Sequence, residues 1–167
     1  PNSQTKNGST MIWGIDPGLS GAAVLFDPVE GMLDIFDMPI MEINKKKQVS
    51  PQLLADILAT QSCPIFIEQV HARPGQGVTS MFNFGKSFGI CLGVAAGLRM
   101  PLSTVLPLTW QKKVGMSKGK DGSRARACQV FPAFSQSFAR KKDDGRSDAA
   151  LIAYFGFLFG ESVESNG

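Results

Sequence analysis

Four carboxylates, Asp16, Glu68, Asp144 and Asp148, stand where acids can do chemistry. Asp16 closes the apolar run Met11–Ile15, and Glu68 closes the run Pro64–Ile67. An acid at the carboxyl end of a buried strand is either an exposed loop residue or a ligand at the sheet edge, and one alone decides nothing. Asp144 and Asp148 are four apart, so a helix beginning near Asp144 puts them one turn apart on the same face. Like charges at that spacing repel unless a cation lies near both. The residues after Asp148, Ala149-Ala150-Leu151-Ile152-Ala153, are small or apolar, so this face turns inward, where a carboxylate needs a partner. Attraction to the helix N-terminus accounts for Asp144 but poorly for Asp148. Asp143 competes with Asp144 as the fourth acid. Four carboxylates with one histidine and no paired cysteines specify a hard cation, magnesium with manganese able to substitute, bound together with substrate phosphate. A Ser-His-Asp triad is possible by composition, but no G-x-S-x-G elbow occurs.

The elements that must hold these acids follow from hydrophobic period and punctuation. Met11–Ile15, Gly21–Phe26 and Met32–Met38 are short apolar runs stopped by Pro17-Gly18, Asp27-Pro28 and Pro39, which predicts an antiparallel meander. Ser50-Pro51 has the order of an N-cap followed by a first-turn proline, with Leu53, Leu54, Ile57 and Leu58 as a helical stripe. Pro64–Ile67 reads as a strand, Thr79–Leu98 as a helix and Ser103–Leu106 as a strand. Helices follow at Pro107–Val114, Ser123–Val130 and Arg146–Phe159. The order βββαβαβα predicts an α/β fold with a mixed central sheet, three antiparallel strands and then parallel ones, flanked by helices. The expected division is a disordered tail or expression remnant over 1–10, one domain over 11–160 and a C-terminal tail over 161–167.

Charge is uneven. Lys112, Lys113, Lys118, Lys120, Arg124, Arg126, Arg140, Lys141, Lys142 and Arg146 lie in one stretch holding three acids, Asp121, Asp143 and Asp144, although the whole chain carries only +3. That block is where a polyanion would dock, with Lys112, Lys113, Lys118, Lys120, Arg124 and Arg126 as phosphate contacts and Lys142 and Arg146 beside them. The loop after Glu68 contains His71, Arg73 and Gln76, so whatever it touches lies near the acids. Lys86 and the aromatics Phe82 and Phe84 follow; the aromatics, two apart, cannot share one helical face, so one can be core and the other available to stack on or wedge between bases, the alternative being that both are buried. Cys63, Cys91 and Cys128 lack C-x-x-C spacing, which points away from a disulfide framework or thiolate zinc site and towards a reducing, intracellular setting. No apolar run approaches the ~20 residues of a membrane span.

The run Gly14-Ile15-Asp16-Pro17-Gly18-Leu19-Ser20-Gly21 resembles the first strand of RuvC-type Holliday junction resolvases, and Ile67-Glu68-Gln69-Val70 resembles the strand carrying their second acid. Lys141–Ala153 is most similar to the last helix of the chloroplast resolvases and their phage-encoded relatives, as are Pro107–Lys113, with Trp110 ahead of two lysines, and Asp121–Ala127. The resemblance implies an RNase H-like fold, a homodimer and paired symmetric nicking of four-way DNA junctions with two metal ions, in DNA recombination and repair. It places the metal ligands at Asp16, Glu68, Asp144 and Asp148, with Asp16 bridging the ions. Two departures stand out: the chloroplast branch tends to have His at the place of Asp144 and Glu at that of Asp148, and bacterial RuvC spaces its last two acids three apart. The implied setting is phage or bacterial cytoplasm, or an organelle such as the chloroplast.

Gly85, Gly89, Gly93 and Gly97 recur every fourth residue, a bare helical ridge costing up to ~1 kcal/mol per glycine relative to alanine. Either the sheet packs tightly beneath it or the same helix of a second subunit crosses it, and the resemblance favours the dimer. The alternatives are another RNase H-like nuclease acting on flaps or RNA–DNA hybrids, a non-catalytic junction-binding protein, and an actin-like ATPase, which would need a second phosphate-binding domain.

Overall fold

The computed structural model describes residues 11–71, 74–119 and 121–163, so Arg73, Lys120 and the expected tail over 1–10 lie outside the described residues. Strand β1 (Ile12–Asp16) is central; β2 (Ala22–Asp27) pairs with it antiparallel, and β3 (Met32–Asp37) pairs with β2. After a hairpin, β4 (Ile40–Ile43) and β5 (Lys46–Val49), comes helix α1 (Pro51–Leu58). Strand β6 (Ile65–Glu68) lies parallel to β1, helix α2 (Val78–Gly97) follows, and β7 (Leu102–Val105) lies parallel to β6. The sheet order is β3-β2-β1-β6-β7, with β4-β5 as a separate two-stranded sheet. Helices α3 (Pro107–Lys113) and α4 (Gly122–Val130), two 3-10 segments (Pro132–Phe138 and Lys141–Asp143) and helix α5 (Asp144–Val163) complete the chain. The expected mixed α/β layout is what forms. Sequence reading omitted the β4–β5 hairpin and the 3-10 segments, and α5 starts at Asp144, two residues before its expected start.

Alternation along the strands divides the core in two. Trp13, Ile15, Ile65 and Ile67 pack with Leu54, Leu58, Cys91 and Ala95 beneath α1 and α2. On the other face Ile12, Val24, Phe26 and Phe66 pack with Trp110, Ala127, Leu151 and Ile152 beneath α3, α4 and α5. Helix α1 starts as its sequence signals, with Ser50 Oγ accepting from the Leu53 N–H at 3.4 Å and Pro51 in the first turn. Among the described residues no helix is long and apolar enough to cross a membrane.

Two glycines bring α5 against the strand that carries Asp16. A Cβ on Gly14 would lie 2.1 Å from the Ala149 carbonyl oxygen and 2.4 Å from the Ala153 nitrogen, so α5 rests directly on β1. A Cβ on Gly145 would lie 2.2 Å from the Ser20 carbonyl oxygen, so the first turn of α5 abuts the turn after Asp16. Arg146 fastens the same helical turn to the end of β3 through a bidentate pair with Asp37, Nε to Oδ1 at 2.6 Å and Nη2 to Oδ2 at 2.7 Å.

Asp143 is built into the entry to α5. Its side chain, 2% exposed, accepts from the Arg140 backbone N–H at 2.9 Å and from the Arg140 guanidinium at 3.1 Å, and Arg146 lies 3.7 Å away. The Arg140 hydrogen bonds hold its carboxyl below the usual carboxylate range. Depression of a folded-state pKa stabilises the fold above the ordinary carboxylate value and is lost as pH falls through the lowered one. Asp143→Asn is therefore expected to lower stability by about 1–3 kcal/mol at pH 7. Denaturant unfolding should show the gap to wild type closing in strong acid.

Candidate active site

The parallel register of β1 and β6, Gly14 opposite Phe66 and Ile15 opposite Ile67, delivers Asp16 and Glu68 to the same sheet edge. The turn after β1 is closed by the Asp16 carboxylate, whose Oδ1 accepts from the Gly18 N–H at 3.1 Å. Helix α5 adds Asp144 and Asp148. The result is a cleft of about 760 Å³ lined by Asp16, Gly18, Asn83, Phe84, Asp144 and Asp148 among others. Glu68 lines an adjoining cleft of about 540 Å³ with His71, Gln76, Leu108 and Gln111, and Phe84 borders both.

The acids perturb one another. Burial pushes the Asp16 carboxyl above the usual range, opposed by the Gly18 N–H. Asp148 is pushed up to about 8, first by burial and then by the negative charge of Asp16, with Glu68 and Asp144 adding to it and a hydrogen bond with Ser123 opposing it. Cys91, in the core under α2, is raised to about 12, first by desolvation and then by the charge of Asp16. A buried acid raised by the charge of its neighbours, as Asp148 is, suits a site completed by positive charge.

Tests of fit to a divalent ion divide into chemistry and arrangement. Four oxygen donors on three elements suit a hard cation. Among the described residues, however, no three His, Cys, Asp or Glu side chains are grouped tightly enough to hold an ion as they stand. Each acid has another partner instead. Glu68 Oε2 accepts from the Trp110 indole N–H at 2.7 Å, and Asp144 Oδ1 lies 2.7 Å from Arg124 Nε. Asp148 bonds Ser123, and Asp16 bonds Gly18. These partners orient the four carboxylates, and side-chain rotation would have to accompany ion binding.

Asp143 and Asp144 are adjacent in sequence but differ in surroundings: Asp143 is sealed among arginines, whereas Asp144 lines the cleft. The predicted grip residues separate similarly. Lys86, Lys112, Lys113, Lys118 and Lys142 are exposed, as is His71, and Lys113 Nζ lies 5.1 Å above the Phe159 ring. Gln76 is half-buried and donates to Ser80 Oγ at 3.1 Å. The arginines are spent inside the fold. Arg124 engages Asp121, Asp144 and the Ala139 carbonyl; Arg126 donates to the Val114 carbonyl at 2.6 Å; Arg146 holds Asp37. Phe82 is 69% exposed and lines neither cleft, whereas Phe84 lines both. Gly85, Gly89, Gly93 and Gly97 are exposed, and a Cβ on any of them would meet nothing within 4 Å. Tight approach of the sheet beneath this ridge, one of the two expectations, does not occur.

Sequence reading missed the internal partners of the acids. Trp110 is fully buried and reads as core; its place just after a strand at the acid-bearing edge, in a segment that resembles the chloroplast resolvases, could have pointed to Glu68. Ser123 carries no signal.

Comparison with solved structures decides the fold. Thermus thermophilus RuvC, in a complex with Holliday junction substrate, superimposes with a TM-score of 0.64 at 11% identity over 91% of this chain and 95% of that one. The chain has the RuvC fold. The yeast mitochondrial Holliday junction resolvase Ydc2 matches at a TM-score of 0.53 and 13% identity, over 93% of this chain and 80% of that one. In sequence, 90 residues are 32% identical to the chloroplastic Holliday junction resolvase MOC1 of Chlamydomonas reinhardtii. They cover 53% of this chain and a tenth (10%) of that relative's length. The resemblance to RuvC-like resolvases, chloroplast branch included, is thus met in fold and in sequence. No family model matches the chain.

Proposed function

We infer that the chain is a structure-selective endonuclease that resolves four-way DNA junctions by paired symmetric nicks, using two divalent ions, Mg²⁺ with Mn²⁺ able to replace it. The observation that carries this reading is the gathering of Asp16, Asp144 and Asp148 along one cleft, with Glu68 across Phe84, on a fold shared with RuvC. Bound ions would supply an activated water and offset charge on the scissile phosphate and leaving oxygen. The residues hold and orient. Gly18 fixes Asp16, the Trp110 indole aims Glu68, and Arg124 holds Asp144, which with the other acids would hold the ions. The exposed lysines position DNA without reading its sequence. The test is a synthetic four-way junction compared with a flap and an RNA–DNA hybrid, in Mg²⁺ and in EDTA. Paired nicks at symmetric positions, confined to the junction and abolished by EDTA, are expected; preference for the flap or hybrid would overturn the reading.

Trp110→Phe keeps an aromatic in the core but removes the donor to Glu68. The Mg²⁺ concentration for half-maximal cleavage is expected to rise about 10–100-fold, the usual effect of losing a group that orients a ligand. Mn²⁺ binding followed by electron paramagnetic resonance should weaken in parallel.

A homodimer through α2 would present two sites to two symmetric strands. The open ridge supports it, because bare backbone there serves nothing within one protomer. The double variant Gly89→Leu, Gly93→Leu should fold and run as a monomer in light scattering; a dimer of wild-type strength would defeat this interface.

A further inference from the structure

We propose, on the reading of the chain as a DNA nuclease, that the β4–β5 hairpin is a second phosphate grip, acting across the acids from Lys112 and Lys113. The hairpin leaves the sheet at the edge that bears the acids. Asp16 is paired with Ala22 and Ala22 with Asp37, and the chain is tied down there by the Met38 N–H to the Gly21 carbonyl at 3.0 Å and the Ser50 N–H to the Pro39 carbonyl at 2.8 Å. Only its base is buried: Val49 enters the core under α1 and α2, while residues 41 to 47 are exposed. Four residue pairs carry its tip about 14 Å beyond that base.

The tip is basic and strained. Lys45, Lys46 and Lys47 follow one another, and no described carboxylate lies within ion-pair distance of them. The register opposes Glu42 to Lys47, leaving Lys45 and Lys46 unopposed. Asn44 and Lys45 have φ of 51° and 61°, the double positive φ of a two-residue hairpin turn. Glycine is the usual second residue there. A lysine in its place keeps a charge at the tip against backbone preference, and such outliers point towards use.

Placement gives the charge an object. The hairpin leaves from the acid-bearing end of β3, whereas Lys112 and Lys113 follow the same end of β7, and β3 and β7 are four strand spacings or about 19 Å apart. Asp16 lies on the strand midway between. Two basic walls with the acids between them match a polyanion lying across the edge, its two flanks neutralised and the scissile phosphate over the acids.

The test is the variant Lys45→Gln, Lys46→Gln, Lys47→Gln, with the all-arginine variant as a charge-preserving control. Binding to a four-way junction and to linear duplex is measured against salt, in EDTA so that nothing is cut. The slope of log affinity against log salt should become shallower by about two for the glutamine variant, and its Kd should rise at least ~10-fold at ~0.1 M salt, with the arginine variant near wild type. Loss on duplex alone, with a wild-type chain indifferent to junctions, keeps the grip and removes the junction reading. An unchanged slope and Kd on both DNAs overturns the grip while leaving the nuclease reading intact. A wild-type chain that binds neither DNA overturns both.

Discussion

Replacing Asp16 with asparagine is expected to lower junction cleavage by at least ~10³-fold, within the range for removing a group that acts as part of a catalytic unit. The loss should be confined to chemistry. An asparagine Oδ1 can still accept from the Gly18 N–H, so the turn after β1 keeps its shape. Burial raises the Asp16 carboxyl, so the ion-free fold disfavours its charge, and that penalty grows as pH rises above the ordinary carboxylate value. A neutral amide removes it, and thermal unfolding at pH 7 in EDTA should give a Tm equal to or above wild type. Junction binding in EDTA should be retained, since one negative charge fewer faces the DNA. Cleavage within tenfold of wild type, or loss of binding together with cleavage in a folded protein, would sink the assignment of Asp16.

Gly145→Ala tests how closely α5 must seat. Its added methyl would fall 2.2 Å from the Ser20 carbonyl oxygen and 2.7 Å from Gly21 Cα, both backbone atoms. The first turn of α5 must therefore lift from the turn after β1, carrying Asp144 away from Asp16. A displacement of about 1 Å at a reacting centre can cost ~10²-fold in rate. Cleavage is expected to fall by about that factor, against a stability loss of about 1–3 kcal/mol for overpacking. Gly93→Ala, on the open face of α2, is the matched comparison within one protomer and should leave a diluted, monomeric sample no less stable, with a gain of up to ~1 kcal/mol from helix propensity. Equal cleavage by the Gly145 variant and wild type would show that the helix need not sit so close.

Much of this was legible because hydrophobic period and proline or glycine stops agree along β1, β2, β3, α1, β6, α2 and β7. The acids were legible for the same reason, since each strand-end acid interrupts an apolar run. The β4–β5 hairpin was not: residues 41 to 47 bury no face, and its turn is Asn-Lys without the glycine that usually marks one. The segment Pro132–Phe138 has too few apolar residues at helical spacing to declare a 3-10 turn. Choosing between Asp143 and Asp144 needed the helix phase, which adjacent residues cannot supply and the Arg140 capping contacts do. Counting basic residues likewise could not separate free lysines from arginines already paired inside the fold.

The seating of α5 on β1 bears on synthesis. Asp16 leaves the ribosome well before Asp144 and Asp148, which lie on the helix seated against its strand. A nascent chain can pair β1 with β2, β3 and β6 and still hold only Asp16 and Glu68 of the four cleft acids. On the nuclease reading, a chain still lacking α5 would have an incomplete site, which would be completed by the docking of one helix.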